Sequence, residues 1–263
     1  MNADWVQALR ARADLPPSKP REPLFIEAAA PAVGPIGSIE PPLARRMAEA
    51  GLPIAAGPLG WRITGASAND ALAALAAWLR DQGLASVWRN ELLRVADAAG
   101  SVGGAIERAA VRPLGIATHA VHLVGRAEQG GVWVQQRAFD KATDPGCWDT
   151  LMGGLISADE SIPSALERET WEEAGLRVTE LRELRERGTL TVRRPVERGY
   201  MIEHIRMFDA LIPAPLVPLN QDGEVAAFER LDRTALRERL RAGAFTLEAA
   251  LILIDVLELR ERG

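Results

Sequence analysis

Apolar residues along this chain fall into an alternation of strand-like and helix-like runs. Trp5 and Leu9 stand about one turn apart and predict a short N-terminal helix, followed by a Pro-rich linker, PPSKPREP, at 16–23. PLFIEAA (23–29) and VGPIGSIEP (33–41) read as short strand-like pieces punctuated by Pro and Gly. Glu40-Pro-Pro opens a helix that runs through Ala50 and stops at Gly51. GPLGWRIT (57–64) reads as a strand and turn. With Ser67 or Asn69 as N-cap, DALAALAAWLRDQG is an amphipathic helix closed by Gly83. WRNELLRVAD (88–97) is a further strand, and IERAAVRPLGI (106–116) leads out of this unit.

The texture changes from about Thr118. AVHLVGRA and GVWVQQRA predict two strands joined by a Glu-Gln-Gly-Gly turn, a hairpin. The loop FDKATDPG and the strand-like run CWDTLMGG come next. SIPSALERETWEEAGL predicts a helix with Ser161 as N-cap, Pro163 in the first turn and Gly175 as the stop. GTLTVRR and YMIEHIRMFDALI read as strands. Two helices end the chain, around RTALRERLRAG and TLEAALILIDVLELRERG. There are no internal repeats, and the shift of pattern puts a domain boundary near 113–118. The expected division is an arm and linker at 1–22, an α/β domain at 23–115 and a second domain at 116–263.

Composition narrows the function. Thirty-one basic against 36 acidic residues give a net charge of −5, without the basic excess of a general nucleic-acid binder. Lone Cys147 excludes an intramolecular disulfide, and with only His119, His122 and His204 a Cys/His zinc site is not assembled. The start has no apolar run fit for a signal peptide, and AALILI, which stops at Asp255, is too short to span a bilayer. A soluble, reducing, cytoplasmic setting is expected. All basic residues but Lys19 and Lys141 are arginines, scattered as codon bias would leave them rather than clustered for phosphate.

The chemistry concentrates in GLISADESIPSALERETWEEAGL, residues 154–176. Glu169, Glu172 and Glu173 stand at i, i+3 and i+4 of the predicted helix, so their carboxylates gather on one side. Hard cations such as Mg²⁺ take oxygen ligands of this kind, completed by water and substrate phosphate. Arg168, one turn before Glu172, can pair with it or brace a neighbouring carboxylate. Gly153 and Gly154 let the backbone approach where a side chain would block a metal or a phosphate. A Glu-rich helix face alone is most simply a solvated surface. Seven specified positions, Gly154, Glu160, Arg168, Glu169, Glu172, Glu173 and Gly175, are another matter, with chance odds on the order of 10⁻⁵.

This segment resembles the signature of the Nudix hydrolase superfamily, GX₅EX₇REUXEEXGU, where U is bulky and aliphatic. All seven invariant positions match and Leu176 supplies the final U; Thr170 departs at the first U, and Asp159 replaces a glycine often found before the first Glu. The resemblance implies an α/β/α sandwich with a mixed sheet, here preceded by a smaller α/β domain. It also implies Mg²⁺- or Mn²⁺-dependent hydrolysis of a nucleoside or other organic diphosphate. By position it makes Glu169, Glu172, Glu173 and the Gly154 carbonyl metal ligands, Arg168 the residue that orients the carboxylates, and Glu160 a support. The general base stays open between a box glutamate, Glu224 in NQDGEVAAFERL and Glu203 on a strand. Cys147 reads as a small hydrophobe, His119 and His122 as structural. Trp61, Trp133 and Trp148 read as core, with ring stacking on substrate as the alternative.

Outside the box, VGPIGSIEPPLARRM, WRNELLRV, IERAAVRPLGI, THAVHLVG, DKATDPGCWDTLMGG and DGEVAAFE are similar to the Nudix part of fungal thiamine pyrophosphokinase fusion proteins. That similarity implies thiamine diphosphate, or its oxo- and oxy- analogues, as substrate and the monophosphate as product. The rivals are an ADP-ribose, NADH or nucleotide-sugar pyrophosphatase and a non-catalytic ligand-sensing module. The expected partner is a small-molecule diphosphate, not nucleic acid or membrane, with a homodimer left open.

Overall fold

The computed structural model describes residues 3–27 and 34–258; Ala28, Ala29 and Val33 of the strand-like pieces, and 259–263 of the last helix, lie outside the described residues. The C-terminal part is built on a mixed sheet. Its strands are β7 (Thr118–Ala127), β8 (Val132–Arg137), β9 (Trp148–Asp149), β10 (Met152–Leu155), β11 (Arg182–Val196), β12 (Gly199–Ile212) and β13 (Val225–Leu231). The main order is β11-β12-β7-β8-β13, with β10 added to β7 and β9 to β8. β12 runs parallel to β7, while the other pairings are antiparallel.

Alternation along β7 builds the two sides of this sheet. Val121 and Leu123 enter one core with Leu166 and Ala174 of α4 (Ile162–Ala174). Ala120 and Val124 enter the opposite core, with α6 (Leu247–Val256) and Leu236 and Leu240 of α5 (Arg233–Arg241). Helices on both faces make this the expected α/β/α sandwich. Among the described residues no helix is long and apolar enough to cross a membrane.

The N-terminal helix, α1 (Ala3–Arg12), belongs to the second of these cores: Val6, Leu9 and Ala13 are buried with α6. The arm then runs along β11. Arg193 N–H donates to Ala13 O at 2.7 Å, Leu15 N–H to Arg193 O at 2.8 Å, and Tyr200 Oη to Leu15 O at 2.7 Å. An edge strand that would otherwise present unpaired backbone groups is thereby partly covered.

Residues 22–116 enclose a core of their own. A four-stranded sheet in the order β2-β1-β4-β3, made of β1 (Glu22–Ile26), β2 (Gly37–Ile39), β3 (Ile54–Gly57) and β4 (Gly60–Ile63), packs with α2 (Pro41–Glu49) and α3 (Ala68–Asp81). Ser67 is the N-cap of α3, accepting from Asp70 N–H at 3.2 Å, which decides between the two caps predicted. β5 (Leu92–Ala96) and β6 (Val102–Glu107) form a separate hairpin whose Leu93, Val95 and Ile106 enter the same core.

One local reading is corrected, and two strands are added. CWDTLMGG is two strands, because the run leaves β8 after Asp149 and joins β7 from Met152, with Thr150 and Leu151 buried at the crossing. VAAFERL, to which the pattern assigns no element, is the edge strand β13; only Val225 and Leu231 are buried along it, so its apolar alternation is weak. β6 escaped notice because Gly103 and Gly104 dilute its strand character.

Candidate active site

The site is organised by α4. Ser161 and Ser164 close its start reciprocally, each side chain accepting from the other's N–H, at 3.2 and 2.9 Å. Gly175 ends it in the left-handed region, φ 62°, where a Cβ would lie 2.5 Å from Leu219 O. The last carbonyls are capped by the loop that leads to Glu224: Gln221 N–H donates to Glu172 O at 3.0 Å and Leu219 N–H to Ala174 O at 2.8 Å. Thr170, the departure from the aliphatic position, is fully buried, and its hydroxyl donates to Leu166 O at 2.6 Å within the helix, so no polar atom is stranded.

Arg168 ties three carboxylates together. Its Nε and Nη2 donate to the two oxygens of Glu160 at 2.6 and 2.8 Å. Nη1 reaches Glu169 at 2.8 Å and Glu172 at 2.9 Å, and Nη2 also reaches Leu155 O at 3.1 Å. The Arg168 contact holds Glu160 below the usual carboxylate range, and Glu160 in turn raises the guanidinium's affinity for its proton. Ser157 N–H adds a third donor to Glu160, at 3.0 Å.

Glu173 lies on the sheet side and is buried. One oxygen accepts from Gln135 Nε2 of β8 at 2.8 Å and from Gly153 N–H of β10 at 2.9 Å. Burial, then the neighbouring Glu169, pushes its pKa up to about 8. Glu169 is pushed up to about 7, again chiefly by burial, against the pull of Arg168. Two adjacent acids are thus taken out of water, one of them held by neutral donors. Their charge calls for a cation.

The glycines account for the close packing. A Cβ on Gly154 would fall 1.9 Å from the Glu169 carboxyl carbon, and one on Gly153 would fall 2.3 Å from the His122 ring. The Glu169 carboxylate therefore rests directly on the Gly154 backbone, so this oxygen-rich donor set fits a divalent cation. Among the described residues, no three carboxylates converge on one point: Glu172 turns to Arg168, and Glu173 to Gln135 and Gly153.

Other predicted residues fall at varied distances from this cluster. Glu224 is half exposed, its field reaches Glu169, and its carboxylate pairs with Lys141; burial would raise its pKa, but Lys141 holds it low. Glu203 is engaged elsewhere, accepting from Arg112 at 3.0 Å and Thr118 Oγ1 at 2.9 Å. His122 is buried and kept neutral mainly by burial. Thr150 Oγ1 donates to Met152 O at 2.8 Å and so accepts from His122 Nδ1 at 3.0 Å. His119 packs against His204, ring centroids 5.4 Å apart, and both are held below the ordinary imidazole range chiefly by burial. Burial, then Asp144, keeps the Cys147 thiol protonated. Trp61 packs in the N-terminal core, Trp133 on the α4 side and Trp148 on the α6 side beneath Arg239.

Sequence reasoning passed over Gln135, Lys141 and Arg94. For Gln135 a signal existed, since alternation in Val-Trp-Val-Gln sets it on the same sheet face as Trp133, a polar residue at a core-facing position. Lys141 and Arg94 gave none.

The NUDIX domain family model matches residues 116–251, just over half of the chain. Among curated relatives, Nudix hydrolase 20, chloroplastic, of Arabidopsis thaliana is 29% identical over 188 residues, covering 68% of this chain and 49% of that protein. Nudix hydrolase 24, chloroplastic, of the same plant is 28% identical over 184 residues, covering 68% and 50%. The chain spans about half the length of these relatives. The crystal structure of DR0079 from Deinococcus radiodurans has a similar fold, with a TM-score of 0.51 and 22% identity over 63% of this chain and 99% of that one. With Gly154 on β10, Glu160 in the segment before α4, Arg168, Glu169, Glu172 and Glu173 on α4 and Gly175 at its end, and with the family model matching across the mixed sheet, the chain belongs to the Nudix family.

Proposed function

We propose that this protein is a divalent-metal-dependent hydrolase of an organic diphosphate, with residues 116–263 as the catalytic domain and 23–115 as a second domain that completes it. The observation that carries the reading is the Arg168 guanidinium spanning Glu160, Glu169 and Glu172 beside the buried Glu173. Glu169, Glu172, Glu173 and the Gly154 carbonyl would hold Mg²⁺ or Mn²⁺, which when bound neutralises diphosphate oxygens and acidifies water.

This chain's residues do the rest. Arg168 keeps Glu169 and Glu172 oriented and Glu160 anionic. Gly153 and Gly154 let the His122 ring and the Glu169 carboxylate lie directly against the strand, which keeps Glu169 beside the Gly154 backbone. Glu224, kept ionised by Lys141, takes the proton of the attacking water. Attack on the terminal phosphorus releases the monophosphate ester and phosphate.

Thiamine diphosphate or its oxidised analogues are the first substrates to try, because the motifs flanking the box are similar to the Nudix part of fungal thiamine pyrophosphokinase fusions. The 188-residue match to the plant relative is longer than residues 116–263, so it draws in part of the N-terminal region. A cytoplasmic place of action belongs to the same reading.

A substrate panel with Mg²⁺ and Mn²⁺ tests it, comparing thiamine, oxothiamine and oxythiamine diphosphates with ADP-ribose, NADH and nucleoside triphosphates by product chromatography. Selective release of thiamine-type monophosphates is expected. Preference for ADP-ribose or NADH keeps the hydrolase and removes the thiamine assignment. No turnover of any compound removes the hydrolase in favour of a ligand-sensing module.

A further inference from the structure

The segment between β10 and α4 carries Glu160, and it is held by the N-terminal part of the chain. Ser157 bridges to Leu93 of β5, and Ala158 N–H donates to Leu92 O at 2.8 Å. Arg94, on the same strand, donates to Ala158 O from Nε at 3.3 Å and from Nη2 at 3.1 Å, and to Glu160 O from Nη2 at 2.9 Å. Its flanking residues Leu93 and Val95 are sunk in the N-terminal core, so the strand that bears Arg94 is firmly based. Beside the segment lies a cavity of about 170 Å³, lined among others by His119, Ile156, Ile162 and Arg206. Packing on that side is incomplete and does not replace the polar contacts.

We infer that Arg94 is a positioning residue for the catalytic cluster, and that through it the N-terminal domain sets the geometry of Arg168. The link is continuous: Arg94 places the Glu160 backbone, the Glu160 carboxylate holds the Nε–Nη2 edge of the Arg168 guanidinium, and Arg168 Nη1 orients Glu169 and Glu172. A planar guanidinium can serve two carbonyls at once, whereas a lysine ammonium offers no such fork. The inference rests on the hydrolase reading for its effect on turnover, but not for its effect on the loop or on metal binding. Arg94 acts through the Ala158 and Glu160 carbonyls, so its loss should fall on kcat through misplacement and leave KM unchanged.

The test compares Arg94→Gln and Arg94→Lys with Arg198→Gln in the full chain. Arg198 is a control that also joins the two parts, donating to Gly83 O and Ala85 O, away from the box. Three quantities are read: kcat and KM on the best diphosphate of the panel, Mn²⁺ affinity by electron paramagnetic resonance with the metal alone, and amide exchange over 156–161. Arg94→Gln is expected to lower kcat on the order of tenfold or more at constant KM, weaken Mn²⁺ binding and speed exchange in that segment. Arg94→Lys should fall between it and the native protein, and it decides the matter if the glutamine variant does not fold. Arg198→Gln should lower the melting temperature alone. Native exchange, Mn²⁺ affinity and kcat in Arg94→Gln overturn the inference, as does an equal kcat loss in Arg198→Gln. If the native protein hydrolyses nothing, the hydrolase reading falls while exchange over 156–161 still judges Arg94.

Discussion

Gln135 Nε2 on β8 donates to Glu173 Oε2 on α4 at 2.8 Å, a strand residue fixing a carboxylate that the helix presents to the sheet. The other amide atom, Oε1, is buried without a hydrogen-bond partner among the described residues. A buried amide left half-satisfied is expensive, and the bond it does make is the one that holds Glu173. Gln135→Leu should lower metal affinity or kcat about 10–100-fold while leaving the melting temperature near native, since an apolar residue suits the buried face. Titration of Mn²⁺ into both proteins checks it, and equal affinity together with equal kcat would detach Gln135 from the site.

Glu173→Gln should abolish Mg²⁺-dependent hydrolysis with the fold intact. The neutral amide keeps the shape of a side chain whose ionised form burial opposes, so the metal-free variant should be at least as stable as the native protein. Metal at 100 times its Kd should stabilise the native protein by about 2.7 kcal/mol and the variant by far less. Melting curves with and without Mg²⁺ separate the two. Retained hydrolysis with normal metal dependence would remove the box from the mechanism.

Glu224→Gln should reduce kcat by about 10²–10⁴-fold if Glu224 accepts the proton of the attacking water, with little change in melting temperature because the residue is half exposed. Its native pKa lies below the usual carboxylate value, so the activity it supports should persist from neutral pH downward until the carboxylate is protonated. A variant with near-native kcat would return the role of base to a box glutamate.

The Arg112–Glu203 pair joins the segment before β7 to β12, at 3.0 Å and largely out of water. Burial alone would raise the Glu203 pKa, but Arg112 and the Thr118 hydroxyl bring it below the usual carboxylate range. A depressed native pKa means that the pair's contribution is present above the unfolded-state value, about 4.3, and is lost as pH falls through the native value. Glu203→Gln should therefore destabilise by about 3–5 kcal/mol at pH 7. The gap to the native protein should close as the solution is acidified past pH 4. Denaturant titrations at both pH values measure it, and a gap independent of pH would assign the loss to packing.

Much of the candidate site was legible because its parts are local. The i, i+3, i+4 spacing of Glu169, Glu172 and Glu173, the Ser161 cap and the Gly175 stop follow from the 3.6-residue period and from backbone conformations that neighbouring residues dictate. The hairpin β7–β8 was legible for the same reason, its alternation and Gly-Gly turn lying within one short stretch. β13 was not, because an edge strand with exposed Ala226 and Ala227 has little pattern to read.

What the sequence determined by itself is the set of local elements and a helix carrying acids on one side. Tertiary structure decided what that helix meets. Gln135 stands 38 residues from Glu173, and Arg94 stands 64 and 66 residues from the two carbonyls it holds. Such contacts arise only after separate cores have formed and docked, and no period or spacing along the chain encodes which side chains then come within about 3 Å of each other. The burial that pushes up the pKa values of Glu169 and Glu173 is likewise a property of the assembled layers, because a carboxylate on an isolated helix remains in water.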